Sequence, residues 1–203
     1  MLREHIIETA LDLFARYGIK KVSMNDIART AGVSKRTLYE FFSDKETLLK
    51  QVTGATYLRM SASFGKVAED THTALEALLL FNEQMMDKPT WYCTAFYTDI
   101  KRYPGVWEQI TAYKQTFLDT VTLLMKRGIR EGVFDPGINF DIVRLLMRSH
   151  MSMSPPAELF GVFPPADVYN AVFLIFVRGI CTENGRKILE RYETRKQSRI
   201  LVQ

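Results

Sequence analysis

Residues 23–45, SMNDIARTAGVSKRTLYEFFSDK, read as two short helices joined by a tight glycine turn. The first carries Met24, Ile27, Ala28 and Ala31 on one face, and Gly32 takes the backbone angles of a corner at little steric cost. The second begins at Ser34 and is expected to carry Leu38 and Phe41 inward, leaving Lys35, Arg36, Thr37, Tyr39 and Glu40 outside. This is the layout of a helix-turn-helix, whose second helix offers its N-terminal residues to base edges in the major groove of DNA. An ordinary helical corner inside a core has the same outline. Such a corner has no reason to expose Lys35, Arg36, Thr37 and Tyr39 together beside a helix N-terminus.

Local chemistry agrees at each joint. Ser23 with Asp26 three residues on can form a capping box at the start of the first helix. Ser34 is a good N-cap for the second, with Val33 and Leu38 at the two positions of a hydrophobic staple. Ser43 and Glu46 repeat the capping-box spacing and open a helix through Leu48 and Leu49. Small residues (Ala28, Ala31, Gly32) stand where two helices must approach closely. Upstream, Ile6, Ile7, Ala10, Leu11, Phe14 and Tyr17 recur at helical spacing, and Gly18 is placed to end that helix in the left-handed conformation. A three-helix unit over roughly residues 1–43 follows from this spacing.

The whole chain sets wider bounds. Its 203 residues suffice for one large domain, or for a small domain plus a larger one, with a sizeable buried core. A net charge of +4 and a pI near 9.0 suit a polyanionic partner without requiring one. Glu4, Glu8 and Asp12 interrupt any apolar run at the start, which argues against a signal peptide. The apolar stretch Ala171 to Val177 is far short of the roughly 20 residues that cross a bilayer, so no membrane partner is expected, and the cysteine usage makes a reduced cytoplasmic setting the expectation. Cys93 and Cys181 have no metal or redox spacing, and each reads as a small buried hydrophobe. His5, His72 and His150 lie far apart, and no paired-carboxylate or nucleophile–base pattern appears, so neither catalysis nor a cofactor is expected.

Beyond the corner the pattern stays helical, which makes the fold class all-α. A helix from Asp44 is expected to run toward Gly65 and Glu69 as a connector rather than a core element. Leu75, Leu78, Leu79, Asn82 and Met86 mark another, and a further helix runs from about Trp91 to Tyr103 and stops at Pro104. A long helix follows through Trp107, Ile110, Tyr113, Phe117, Val121, Leu124 and Ile129, and helices near 139–153 and 166–183 close the series. Strand-like alternation and internal repeats are not evident.

Over residues 4–50, which include ALDLFARYGIKKVSMNDIARTAGVSKRTLYEFFSDKETLL at 10–49, the chain resembles the TetR family of one-component transcriptional regulators. GIREGVFDP at 128–136 is similar to the end of the long seventh helix in such proteins. The resemblance implies about nine helices, a helix-turn-helix DNA-binding domain over 1–46, and a ligand-binding and dimerisation domain over 47–203. It also implies a homodimer released from DNA by a small molecule. By position, Lys35, Tyr39 and Lys45 match residues that usually contact DNA phosphates, and Ser23 matches a phosphate-contacting hydroxyl residue. Lys45 falls in the first turn of a helix whose free N–H groups favour an anion, and Tyr39 can donate its hydroxyl to a phosphate oxygen. Arg36 stands where many relatives carry glycine, and an arginine there can reach guanine O6 and N7. Glu40, where tyrosine or histidine is frequent, can accept from cytosine N4 or pair with Arg36 at i+4 spacing. The expected DNA-contact set is Ser23, Ser34, Lys35, Arg36, Thr37, Tyr39 and Lys45.

The region 81–176 is rich in aromatic and methionine side chains. Core packing explains any one of them. As a group they suggest a cavity for a small, mostly apolar effector, lined by Met86, Tyr92, Phe96, Tyr97, Trp107, Tyr113, Phe117, Met147, His150 and Met151, with Asp99 a further polar candidate. The segment ADVYNAVFLIFVRGI at 166–180 is apolar around most of its circumference, and a second subunit is its natural cover. Pairing it and the helix at 139–153 with their symmetry mates gives a four-helix interface, and two recognition helices about 34–36 Å apart on a near-palindromic operator. Arg186, Lys187, Arg191, Arg195 and Lys196 read as a solvated helix face. A DNA-bound architectural or cell-division factor without ligand control is the competing function. Repression or activation depends on where the operator lies.

Overall fold

Helix formation follows the apolar spacing along the chain. The computed structural model describes residues 1–86, 94–152, 162–163 and 165–200, and contains ten helices among them. They are α1 (Leu2–Tyr17), α2 (Met24–Thr30), α3 (Lys35–Phe41), α4 (Lys45–Asp70), α5 (Ala74–Met86), α6 (Thr94–Ile100) and α7 (Pro104–Arg130). After these come α8 (Phe140–Ser152), α9 (Pro165–Ile180) and α10 (Glu183–Ile200). Pro104 opens α7 as its first residue, a position where the missing N–H costs nothing. Extended pairing among the described residues is a single antiparallel bridge between Phe134 and Cys181.

Packing divides the chain into two units. The first gathers Met1–Met60, Lys88–Gln115 and Ser154–Val162, as far as these are described; the second gathers Ser61–Asp87, Thr116–Met153 and Phe163–Gln203. In the first unit, Ile6, Phe14, Ile27, Leu38, Leu48 and Val106 come from α1, α2, α3, α4 and α7 into one core, none with more than a trace of exposed surface. Each such side chain contributes about 1.5–3 kcal/mol of burial. Helix α4 therefore belongs to the core through Leu48, Leu49 and Val52, and is more than the connector its low overall hydrophobicity suggests. Leu48, Leu49 and Val52 share one face, while Leu58 is exposed.

Three local readings shift by a residue or an angle. Phe42, not Phe41, is the buried ring at the end of α3; Phe41 is 42% exposed. Helix α3 stops at Phe41, and the extended backbone of Phe42 (φ −140°, ψ 109°) swings the next ring inward below Leu38. At the start of α4 the cap is Asp44, whose carboxylate accepts from the Thr47 backbone N–H at 2.7 Å, while Ser43 donates to Asp44. Gly18 has positive φ (80°), but its ψ of 160° places it in a region that is nearly glycine-only rather than in the left-handed helical well.

In the second unit, Phe64, Phe81 and Phe117 form a tilted aromatic triad with centroids 4.5–5.6 Å apart. Arg127 holds the end of α4: its guanidinium donates to the carbonyls of Ala68 (2.6 Å), Thr71 (2.9 Å) and His72 (3.2 Å), and to Glu131 at 2.6 Å. Glu131 in turn accepts from the Ala74 backbone N–H at 2.7 Å, so one ion pair caps the end of α4 and the start of α5. Helix α8 leaves Ile142, Leu145 and Leu146 exposed, and α9 leaves Ile175 exposed.

Candidate DNA-reading surface

The surface begins with how α2 and α3 are started. Ser23 caps α2: its hydroxyl oxygen accepts from the Asp26 N–H at 3.2 Å, and its own N–H and hydroxyl donate to the Asp26 carboxylate at 3.0 and 2.6 Å. The Ser23 hydroxyl and backbone N–H hold the Asp26 carboxyl below the usual carboxylate range. Gly32 (φ 67°) supplies the corner, and the Val33 N–H closes on the Ala28 carbonyl at 3.0 Å. Ser34 then caps α3 by accepting from the Thr37 N–H at 3.0 Å, with its hydroxyl 2.8 Å from that of Thr37.

With both helices fixed, α3 turns a polar face outward. Lys35, Arg36, Tyr39 and Glu40 are exposed, while Leu38 anchors the helix from below. The Lys35 ammonium sits 5.9 Å from the centroid of the Tyr39 ring. Arg36 Nε donates to Glu40 at 3.1 Å, so the intrahelical pair is the arrangement found. An exposed i,i+4 pair contributes only about 0.3–0.5 kcal/mol, against about 1–3 kcal/mol for a bidentate arginine–guanine contact. The Glu40 pair is thus too weak to withhold the guanidinium from a guanine within its reach.

Lys45 differs from the other cations. Its ammonium is turned into the protein and donates to the carbonyls of Ile19 and Val22, in the loop that joins α1 to α2. Burial pulls its pKa below the ordinary lysine value, with the Asp99 and Asp26 carboxylates acting in the opposite direction. Two carbonyls take two of the three N–H donors of this ammonium, so a phosphate contact by Lys45 falls to the third or displaces a carbonyl. Asp99, expected as a polar member of an effector cavity, is occupied at the same loop: it accepts from the Lys20 backbone N–H at 2.6 Å. No local pattern announces this contact, because Lys20 and Asp99 are 79 residues apart.

The expected effector-lining residues fall into different groups. Phe96 and Trp107 pack on the core of the first unit. Trp107 also has the Lys101 and Lys114 ammonium groups 5.8 and 5.4 Å from its ring centroid, and burial, with Lys101 as a second cause, lowers the Lys114 pKa. Tyr113 stacks on Tyr57 (4.2 Å, 5°), and its hydroxyl accepts from Gln109 at 3.1 Å, while Gln109 also donates to the Lys50 carbonyl. In the second unit Phe117 belongs to the aromatic triad, and Met86 is half-buried at the end of α5. Met147 lines a small pocket of about 10 Å³ with Leu118, Val121, Met125, Phe140 and Val143, room for about one water. Tyr92 lies outside the described residues; Tyr97, His150 and Met151 are described only as backbone within α6 and α8. Cys181 is buried, and its thiol is pushed up to about 11, as suits a small hydrophobe rather than a nucleophile. No helix among the described residues is long and apolar enough to cross a membrane.

A three-helix head that turns a short, capped, cationic helix outward defines a helix-turn-helix DNA-binding protein. Residues 6–52 match the model for bacterial regulatory proteins of the tetR family. The HTH-type transcriptional repressor KstR2 of Rhodococcus jostii is 22% identical over 158 residues, covering 72% of this chain and 74% of its own. A TetR-family transcriptional regulator from Agrobacterium tumefaciens shares the fold with a TM-score of 0.75 at 16% identity, over 89% of this chain and 98% of its own. FadR from Bacillus subtilis, solved in complex with stearoyl-CoA, does so with a TM-score of 0.67 at 18% identity, over 87% and 98%. Some curated relatives match over a short stretch alone: this chain spans 22% of the length of one and 23% of another. Residues 6–52 are thus a helix-turn-helix segment of the tetR type, and the chain shares the fold of solved TetR-family regulators.

Proposed function

We propose that the protein is a homodimeric repressor that binds a near-palindromic operator and leaves it when a small, mostly apolar ligand binds. The observation that carries this reading is the outward face of α3, where Lys35, Arg36 and Tyr39 stand exposed on a helix held by Leu38 beneath. Lys35, Tyr39, Ser23 and Lys45 contact phosphates. Arg36 reads a guanine, and Ser34 and Thr37 approach the groove at the helix start. These residues fall within 1–46, which we take as the DNA-binding domain, and 47–203 as the part that binds effector and dimerises.

Exposed Ile142, Leu145 and Leu146 on α8 and Ile175 on α9 favour a second copy of the chain as their cover, as in a four-helix interface. The effector occupies the aromatic and methionine-rich region from Met86 to Met151. FadR of Bacillus subtilis was solved with stearoyl-CoA, a long apolar chain on a polar head, and that compound is the first probe for release. The protein works in the cytoplasm, by binding rather than by turnover. Selection of bound sequences from random duplexes tests the reading: enrichment of an inverted repeat with guanine at a fixed position in each half supports it. Failure to enrich any sequence counts against it.

A further inference from the structure

Asp99 is the buried side chain that bears a formal charge among the described residues, with 9% of its surface exposed. A carboxylate withdrawn from water is costly unless specific partners replace that water. Its partners converge on one short loop. Asp99 Oδ2 accepts from the Lys20 backbone N–H at 2.6 Å. The Lys45 ammonium, within electrostatic reach of the same carboxylate, donates to the carbonyls of Ile19 and Val22. The loop from Gly18 to Val22 is thus held at an N–H by α6 and at two carbonyls by α4. Gly18 completes the seat. A side-chain carbon there would stand 2.8 Å from Ala95 Cβ and 3.2 Å from Asp99 Oδ2, so α6 lies directly against the loop only because that residue has none. The residue after the loop is Ser23, which starts α2, and α2 in turn sets the corner from which α3 leaves.

We infer that Asp99 is a positioning residue for DNA reading: from α6 it fixes the loop 18–22, and through that loop the presentation of α3. It touches no DNA in this scheme. The inference rests on the DNA-binding reading above and extends it to a residue outside the helix-turn-helix. Simple electrostatics predicts the opposite sign from positioning. Removing a negative charge from a head that binds a polyanion should tighten binding to any duplex. Loss of a positioning contact should weaken binding to the preferred duplex alone.

The test uses the full chain, a duplex selected by the wild-type protein, and a shuffled duplex of equal length. Asp99→Ala is expected to lower affinity for the selected duplex tenfold or more and to leave the shuffled duplex unchanged or slightly tighter. Asp99→Asn, which keeps the shape and an acceptor for the Lys20 N–H, should lose only two- to fivefold and provides a folded variant if the alanine variant unfolds. The decisive quantity is the ratio of the two affinities, because a smaller folded fraction lowers both affinities together and leaves the ratio intact. A ratio that stays at the wild-type value in both variants, or selected-duplex binding that tightens, overturns the inference. A wild-type chain that prefers neither duplex removes the DNA reading and the inference with it; a wild-type preference with unaffected variants removes the inference alone.

Discussion

The two packing units solve the problem of covering apolar surface in different ways. In the first, Ile6, Phe14, Leu38 and Val106 close on one another and leave almost nothing exposed. In the second, the Phe64–Phe81–Phe117 triad closes a core, yet α8 keeps Ile142, Leu145 and Leu146 in the open and α9 keeps Ile175 there. Leu2, Tyr17 and Leu58 stay exposed in the first unit as well, but at separate places along α1 and α4. On the proposed reading, that exposed face of α8 and α9 is where a second copy of the chain binds.

Truncation in the two units should separate them most sharply. Leu38→Ala is expected to cost about 2–5 kcal/mol of stability in denaturant unfolding, because it opens a cavity in a closed core. Leu145→Ala should stay within about 0.5 kcal/mol when unfolding is measured on monomeric chain. Equal costs would erase the contrast. At the same exposed position, Leu145→Asp should weaken association by about 3 kcal/mol, seen as a shift to monomer in sedimentation velocity. An unchanged mass would mean that α8 is not the covered face.

Smaller effects belong to the head. Arg36→Ala should cost about 2 kcal/mol on the selected duplex and relax preference at one base pair per half-site, with little change in stability, since the Arg36–Glu40 pair is exposed. Loss of affinity without loss of preference would place base reading elsewhere on α3. Asp44→Ala should cost about 1 kcal/mol through loss of the α4 cap. The Thr47 backbone N–H, then its hydroxyl, lowers the Asp44 pKa. A lowered carboxylate pKa stabilises the fold fully above the unfolded-state value, and that contribution fades as the pH falls through the folded-state value. The wild type should therefore lose this increment in acid while Asp44→Ala does not, which paired melting curves at neutral and acid pH would register.

The contrast between the units also explains what the sequence could tell. Ser23 with Asp26, Ser34 with Thr37, Gly32 and the Arg36–Glu40 pair are contacts within four residues, so a linear reading finds them. The helices between residues 74 and 180 were legible from apolar spacing for the same reason, whereas the separate helix α10 after the break at 181–182 was not marked by it. Errors arose where the deciding partner was distant or a helix end shifted by one residue. Phe42 replaced Phe41 because α3 ends a residue before the inward turn, and Asp44 replaced Ser43 as the cap of α4. Asp99 on Lys20, Lys45 on Ile19 and Val22, and Arg127 on Ala68 and Thr71 join residues 23 to 79 positions apart. A lone aspartate or lysine carries no local mark of such a partner. The stacking of Tyr113 on Tyr57 and its hydrogen bond from Gln109 likewise include a distant partner that residue type alone does not name.

Hydroxyl-radical footprinting of the selected duplex with wild-type protein tests the central claim most directly. Two α3 helices from one dimer should leave two equivalent protected patches, centred about 34–36 Å apart along the duplex, with the pattern lost in Lys35→Ala/Arg36→Ala protein. A single protected patch, or uniform protection that survives both substitutions, would contradict the account.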